Sequence, residues 1–432
     1  MAIINRGEIT LKHLVVDEGT SRIPITREDK DYSLTIAEAK ELREYLRTQK
    51  LEKQCFLWSL DSIKIINYVG FIQLSTVSLE ILPKVSSHKN SREVLLNMLI
   101  VSRYLEINYS ALAGLQLAKK SLFEIFGYIF ALKLKQELFY GIYSTYQECE
   151  NNLSFQKGKI VFSRQINNAL KHIPKAYCNY HEFTADNDLN RMFKFVINLL
   201  LRKIETAKTL DLLRYCSLNF QDVSDITPNI VDADKVFFDR TNQRFSPAFS
   251  LAKLFLANCS TVATAGGYFS FSILFKMNDL FERYVSVIAR KALSSYKVNL
   301  QHKEIKLLIS EKNDKGVYWL KPDMVVESES SQLVIDTKWK IISSQYFRHG
   351  VTREDYFQMY AYLTRYMDAK AAILLYPYNE NIPTGPGAQL ESYYLENNNN
   401  KKLKVYSISW DDNDKTAQEL MKIVRENEIE CT

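Results

Sequence analysis

Cysteine is sparse in this sequence of 432 residues: the six present are scattered, and none falls at a CxxC or Cys/His ligand spacing, which argues against a zinc site. Thiols so placed are expected to be free and to belong to a reducing compartment, so a cytoplasmic location is expected. Long apolar runs are missing too. The most apolar stretch, 122–140, is interrupted by Glu124, Lys133, Lys135 and Glu137 and cannot cross a bilayer cheaply. Residues 1–10 lack the continuous apolar core of a signal peptide, so a soluble protein with no membrane association is expected. Nor is there an excess of one charge: 56 Lys and Arg against 50 Asp and Glu leave +6, too little to identify a nucleic-acid partner by itself. There is no internal repeat, and no G-x-x-x-x-G-K-[ST] loop to cradle nucleotide phosphates, since Gly158-Lys159 lacks the earlier glycine.

What is present is a globular balance, 46% hydrophobic and 25% charged, over a length that suits roughly two to four folding units. Residues 63–69 and 79–82 are rich in branched and aromatic side chains and read as strands, the second stopped by Pro83. A helical pattern over 35–49 interrupts them, which predicts an α+β N-terminal domain, 1–110. From about residue 91 the apolar period becomes helical, through 94–104, 111–140 and 188–207. A strand-like break at 158–162 and a further helix over 245–258, with Pro247 near its start, complete a mainly helical middle region, 111–265. The small residues at 261–267 mark a boundary. Beyond it, over 266–432, the pattern is helix 277–293, strands 317–327 and 333–339, helix 352–367 and a buried strand 371–376. A polar loop at 397–402 and a last strand, 403–408, follow. The fold class expected is α/β overall, in several domains.

The chemistry concentrates in Lys321-Pro322-Asp323-Met324-Val325-Val326 and Leu333-Val334-Ile335-Asp336-Thr337-Lys338-Trp339. Residues two apart on a strand share a face, so Asp336 and Lys338 point together while Ile335, Thr337 and Trp339 point the other way. Pairing of the two segments through a turn at 328–331 would set Asp323 beside Asp336. Two carboxylates and an ammonium are what metal-assisted phosphodiester hydrolysis requires: hard oxygens for Mg²⁺, and a cation to orient water and offset developing charge. Lys338, paired with Asp336, suits that positioning role better than the role of a free base. By itself Asp-x-Lys reads as a solvated strand face; the upstream Pro-Asp and the flanking helices give it weight. On the first helix Glu282 flanks the apolar stripe and can reach a site at the sheet edge. On the second, Asp355, Gln358 and Tyr362 fall on one face, beside the Tyr356, Met359, Leu363 stripe. Lys321, Lys340, Arg348 and Arg353 suit DNA-backbone contacts, although surface solubility explains any one of them. Trp339, Tyr346 and Phe347 read as packing rather than as base-stacking platforms.

These residues carry a resemblance. The C-terminal third resembles the PD-(D/E)XK nuclease superfamily, with Gln358 and Tyr362 similar to the Q-x-x-x-Y motif of its RecB-type branch. Nearly end to end, the chain resembles the McrC family, the nuclease subunits of McrBC modification-dependent restriction systems. The segments involved are 70–73, 79–84, 180–190, 336–340, 353–362 and 374–377. The resemblance implies a restriction-endonuclease-like α/β domain with Asp323, Asp336 and Lys338 catalytic, Glu282, Gln358 and Tyr362 supporting, and Asp323, Asp336 and Glu282 binding Mg²⁺, or Mn²⁺ in its place. It also implies double-stranded DNA as substrate, of the 5-methylcytosine type, and an McrB-like AAA+ GTPase hexamer as the partner that binds the GTP. Two alternatives remain at this point: a non-catalytic assembly subunit that grips DNA, and a stand-alone repair nuclease of the same fold.

Overall fold

The computed structural model describes residues 12–84, 90–107, 120–228, 230–257, 270–328, 331–396 and 398–429. The chain separates into two compact units, one built from 1–119 together with 262–432, the other from 120–261. The regions read from sequence as the N-terminal domain and the C-terminal α/β domain thus share one unit. The expected linker at 261–267 lies outside the described residues, as does 111–119 of the helix expected over 111–140.

The first unit begins with strands β1 (Lys12–Asp17), β2 (Arg22–Thr26) and β3 (Leu34–Thr35), helices α1 (Ile36–Thr48) and α2 (Glu52–Cys55), and strands β4 (Phe56–Trp58), β5 (Ser62–Ile65), β6 (Tyr68–Gln73) and β7 (Val77–Leu82), then helix α3 (Ser91–Val101). The strand expected over 63–69 is two strands, because Asn67 turns the chain at φ 56°. Helix α1 starts where the sequence places it: Thr35 and Glu38 form a reciprocal capping box. Its Leu42 and Leu46 bury against Ile63, Ile65, Leu79 and Ile81.

In the second unit, helices α4 (Leu122–Leu138), α6 (Asp188–Leu201), α7 (Ala207–Leu218) and α9 (Ser246–Ala257) surround an aromatic core, while α5 (Phe162–Leu170) and α8 (Ile230–Asp234) are shorter. Phe193 lies 6.2 Å from Phe130 and 5.9 Å from Phe245, ring centre to ring centre. Strands β8 (Thr145–Leu153), β9 (Lys159–Ile160) and β10 (Ala176–Thr184) form an antiparallel sheet in the order β8-β10-β9. The middle region is therefore helical with a prominent sheet, of which only β9 was legible. No described helix is long and apolar enough to cross a membrane.

The first unit resumes with β11 (Phe271–Lys276), which pairs with β6 and completes the sheet β1-β7-β6-β11. Gly70 makes that pairing possible: at φ 129° its α-carbon faces Ile273, and any Cβ there would collide with the Ile273 carbonyl. Helix α10 (Met277–Ala292) and strands β12 (Lys297–Leu300), β13 (Lys306–Ile309), β14 (Gly316–Trp319), β15 (Met324–Glu327) and β16 (Gln332–Thr337) follow. Helix α11 (Arg353–Arg365), strands β17 (Ala369–Pro377), β18 (Gln389–Leu395) and β19 (Asn398–Ile408), and helix α12 (Asn413–Ile429) end the chain. Six of these strands make one mixed sheet, β12-β15-β16-β17-β19-β18, parallel only across β16-β17-β19. Met359, Tyr362 and Leu363 of α11 pack on one face of it against Val334, Ala372, Leu374 and Val405. Two expectations need correction. The run expected as one strand over 317–327 is two strands in different sheets, and the polar loop expected at 397–402 is mostly the start of β19, paired with β18.

Candidate functional site

The site forms where β15 meets β16. The two strands are antiparallel, with Met324 opposite Ile335, and the turn is closed by Ser328 donating its N–H to Ser331 O at 2.9 Å. This is the hairpin the sequence suggested, and it sets Asp323 opposite Asp336. Asp323 accepts from both the Thr337 N–H, at 2.7 Å, and the Thr337 hydroxyl, at 2.6 Å, on a single oxygen, Oδ2. Burial pushes its carboxyl up to about 7, helped by the negative charges of Asp336 and Glu282.

Asp336 is 2% exposed. Burial raises its pKa, against the opposing pull of Lys338, whose ammonium lies 2.5 Å from Oδ2. That contact is an ion pair without hydrogen-bond alignment, and among the described residues Oδ2 has no hydrogen-bond partner. Oδ1 is held from helix α11: Gln358 donates to it at 3.2 Å and the Tyr362 hydroxyl at 3.4 Å. Gln358 also receives the Lys338 ammonium on Oε1 at 2.8 Å and donates to Tyr362 at 2.8 Å. Asp336, Lys338, Gln358 and Tyr362 are thus one connected network, on the faces that a period of two and a helical period assign them. Tyr362 belongs to the core as well as to the polar stripe.

Glu282, on α10, is half-buried, and its charge reaches both aspartates, while its carboxylate is bonded by Gln301 at 2.9 Å. Among the described residues no three His, Cys, Asp or Glu side chains are gathered closely enough to hold a metal ion. The two aspartates form the core of the site, with Glu282 at its margin.

The basic residues separate. Lys340 is engaged by the buried Asp355, at 2.9 and 2.7 Å to its two oxygens, and Asp355 also accepts from Tyr376. Arg348 lies over the rings of Phe347 and Tyr393. Arg353 is exposed at the start of α11, and Lys321 is exposed next to the hairpin. Trp339 is buried as expected, 5.3 Å from both Phe281 and Trp410, whereas Tyr346 and Phe347 are exposed.

Other segments singled out by sequence have structural work. In 180–190, Asp186 takes a two-pronged bond from Arg191, Asn187 caps α6, and Asn190 ties the carbonyls of Tyr143 and Ala185. In 79–84, the buried Glu80 pairs with Arg92 and Lys84 pairs with the buried Glu18. Glu18 is a residue the sequence reading missed: it accepts from Asn67 N–H at 2.7 Å and from Trp339 Nε1 at 3.5 Å, which joins the N-terminal sheet to the strand bearing Asp336. A lone acid in a short strand region carries no sequence signal for that role.

A profile of the McrBC 5-methylcytosine restriction system components matches residues 63–377. No curated protein matches the chain. Among solved structures, a chain of the Thermococcus gammatolerans assembly of McrB AAA+ hexamers with bound McrC shares its fold, with a TM-score of 0.71 at 22% identity over 96% of this chain and 99% of that one. A chain of the Thermococcus gammatolerans McrBC complex aligns with a TM-score of 0.51 at 26% identity, over 66% of this chain and 89% of that one. With most of its length matched, from β5 through the end of β17, the chain belongs to the family of McrBC 5-methylcytosine restriction system components.

Proposed function

We propose that this chain is the DNA-cleaving subunit of a modification-dependent restriction system, a Mg²⁺-dependent endodeoxyribonuclease that works with an AAA+ GTPase. The observation that carries the reading is the pair of carboxylates, the half-buried Asp323 and the buried Asp336, opposed across a hairpin with Lys338 beside them. Two acids raised above their ordinary range by desolvation and neighbouring charge are costly to a fold that has no use for them. Their surroundings fit a divalent cation: the donors are hard oxygens, and Asp336 Oδ2, paired in charge with the Lys338 ammonium, has no hydrogen-bond partner among the described residues. Asp323 and Asp336 would hold Mg²⁺ or Mn²⁺, with the Glu282 carboxylate adding negative charge from the margin of the site. When bound, the ion would supply the Lewis acid that a phosphoryl oxygen needs. Lys338, anchored by Gln358, places a fixed positive charge where negative charge develops on the phosphate. Gln358 and Tyr362 hold Asp336 in one orientation, so little reorganisation is left for the reaction itself.

This arrangement supports reading 266–432 as a PD-(D/E)XK nuclease domain, with 1–110 as the partner-binding region and 111–265 as the helical region between. Lys321, Arg348 and Arg353, all exposed, would meet DNA backbone; Lys340 is the weaker candidate because Asp355 already holds it. GTP belongs to the partner, an McrB-like hexamer, since this chain has no phosphate-cradling loop. Outside 1–110, an exposed apolar stripe on α5 offers a second surface for a protein partner: Phe162, Ile166 and Leu170 lie one turn apart and are 76%, 60% and 75% exposed.

The test is Asp336→Ala in the assembled system with methylated DNA, GTP and Mg²⁺. Cleavage is expected to fall at least about a hundredfold, the scale of removing a transition-state contact, while stimulation of the partner's GTPase persists. Cleavage at the unmodified rate contradicts the assignment.

A further inference from the structure

Gln301 stands one residue past the end of β12, where its N–H donates to the Asp323 carbonyl at 2.8 Å. This continues the ladder in which Leu300 faces Met324. On the other side of β15, Met324 faces Ile335, so Asp336 is the next neighbour in the same direction. Gln301, Asp323 and Asp336 therefore form one row across three strands. From the end of that row the Gln301 amide reaches Glu282 on α10, donating to Oε1 at 2.9 Å. Both side chains line a cavity of about 540 Å³, together with Arg283 and Lys321.

The backbone of Gln301 lies at φ 46°, in the left-handed region that strains a residue with a long side chain and suits Gly or Asn. Glutamine has no conformational advantage there. What it has over Gly is an amide, and over Asn one more methylene of reach, and that reach is what spans the gap to Glu282. A strained residue whose side chain makes one specific bond to a charged group of the site points to work done by that bond.

We infer that Gln301 is a positioning residue, which fixes the Glu282 carboxylate at the margin of the cation site formed by Asp323 and Asp336, where its charge adds to the attraction for the ion; the inference rests on the nuclease reading above. It acts through Glu282 and touches neither the ion nor the DNA.

Gln301→Gly and Gln301→Asn both suit the backbone, so each is expected to keep the full-length chain folded, with a melting temperature equal to or above that of the parent. Affinity for Mn²⁺, the probe, is measured by titration followed by the electron paramagnetic resonance of the free ion. Both variants are expected to bind about tenfold more weakly, a difference of about 1.4 kcal/mol. Glu282→Ala is expected to lose a similar factor, and adding Gln301→Gly to it less than twofold more, because the two act as one unit. A merely structural glutamine would lower the melting temperature and leave the affinity alone, which overturns the inference. A full further tenfold loss on the Glu282→Ala background overturns it as well. If the parent chain itself binds no Mn²⁺, the nuclease reading falls and the inference falls with it; if the parent binds and Gln301→Gly matches it, the inference falls alone.

Discussion

Asp323 gathers two donors of Thr337 on one oxygen and lies between two other acids, so its proton affinity is set by three neighbouring groups as well as by burial. Its carboxyl rises from 3.8 to about 7, which means that the folded state holds the proton more tightly than the unfolded chain does. The contribution to folding is therefore fully present below about pH 4, declines as pH rises, and is lost above about 7. Asn at this position cannot ionise, and it retains an oxygen that can accept both Thr337 bonds. Asp323→Asn is predicted to be more stable than the parent at pH 8 by roughly 1–2 kcal/mol, allowing for the partial exposure of the site. The advantage should vanish near pH 4. Thermal unfolding at the two pH values checks this, and equal melting temperatures at both contradict it.

At the scale of elements, the strand bearing Asp336 is held from both sides: α11 clasps Asp336 and Lys338 on one face, and on the other Trp339, just past β16, packs between Phe281 of α10 and Trp410. Trp339→Ala would open a cavity in that contact and leave Glu18 without one donor. A loss of about 3–5 kcal/mol is predicted, read by denaturant unfolding of the full chain. A loss below about 1 kcal/mol would mean that the strand is anchored elsewhere. The parts of this arrangement that were legible in the sequence are those governed by local period. Alternation placed Asp336 and Lys338 together, and the 3.6-residue repeat placed Gln358 with Tyr362. Strands without alternation were not legible: β8 reads TYQECENNL and exposes polar side chains on both faces, and the first residues of β19 are Asn and Lys that pair with β18 at the sheet edge. Helix α12 carried a usable signal in Leu420, Ile423 and Val424, all buried at helical spacing. The contact of Glu18 with Trp339, 321 residues away in sequence, had none.

At the scale of the whole molecule, the chain couples a cross-strand acid pair to a fold shared with a chain of an assembly of McrB AAA+ hexamers with bound McrC. An exposed apolar stripe on α5 is unusual for a chain that acts alone. Ile166→Asp together with Leu170→Asp alters exposed positions only, so the melting temperature is predicted to stay within about 2 °C of the parent. Binding of the GTPase partner is predicted to weaken by at least about tenfold, or 1.4 kcal/mol, measured by calorimetry. Unchanged binding would leave 1–110 as the partner surface and remove α5 from it. The central claim is that Asp323 and Asp336 grip a divalent ion beside Lys338. Anomalous diffraction from crystals of the full chain soaked in Mn²⁺ tests it most directly. The account predicts a peak at about 2.0–2.3 Å from a carboxylate oxygen of each aspartate, the range for a hard divalent cation. An empty hairpin, or an ion bound only elsewhere, contradicts it.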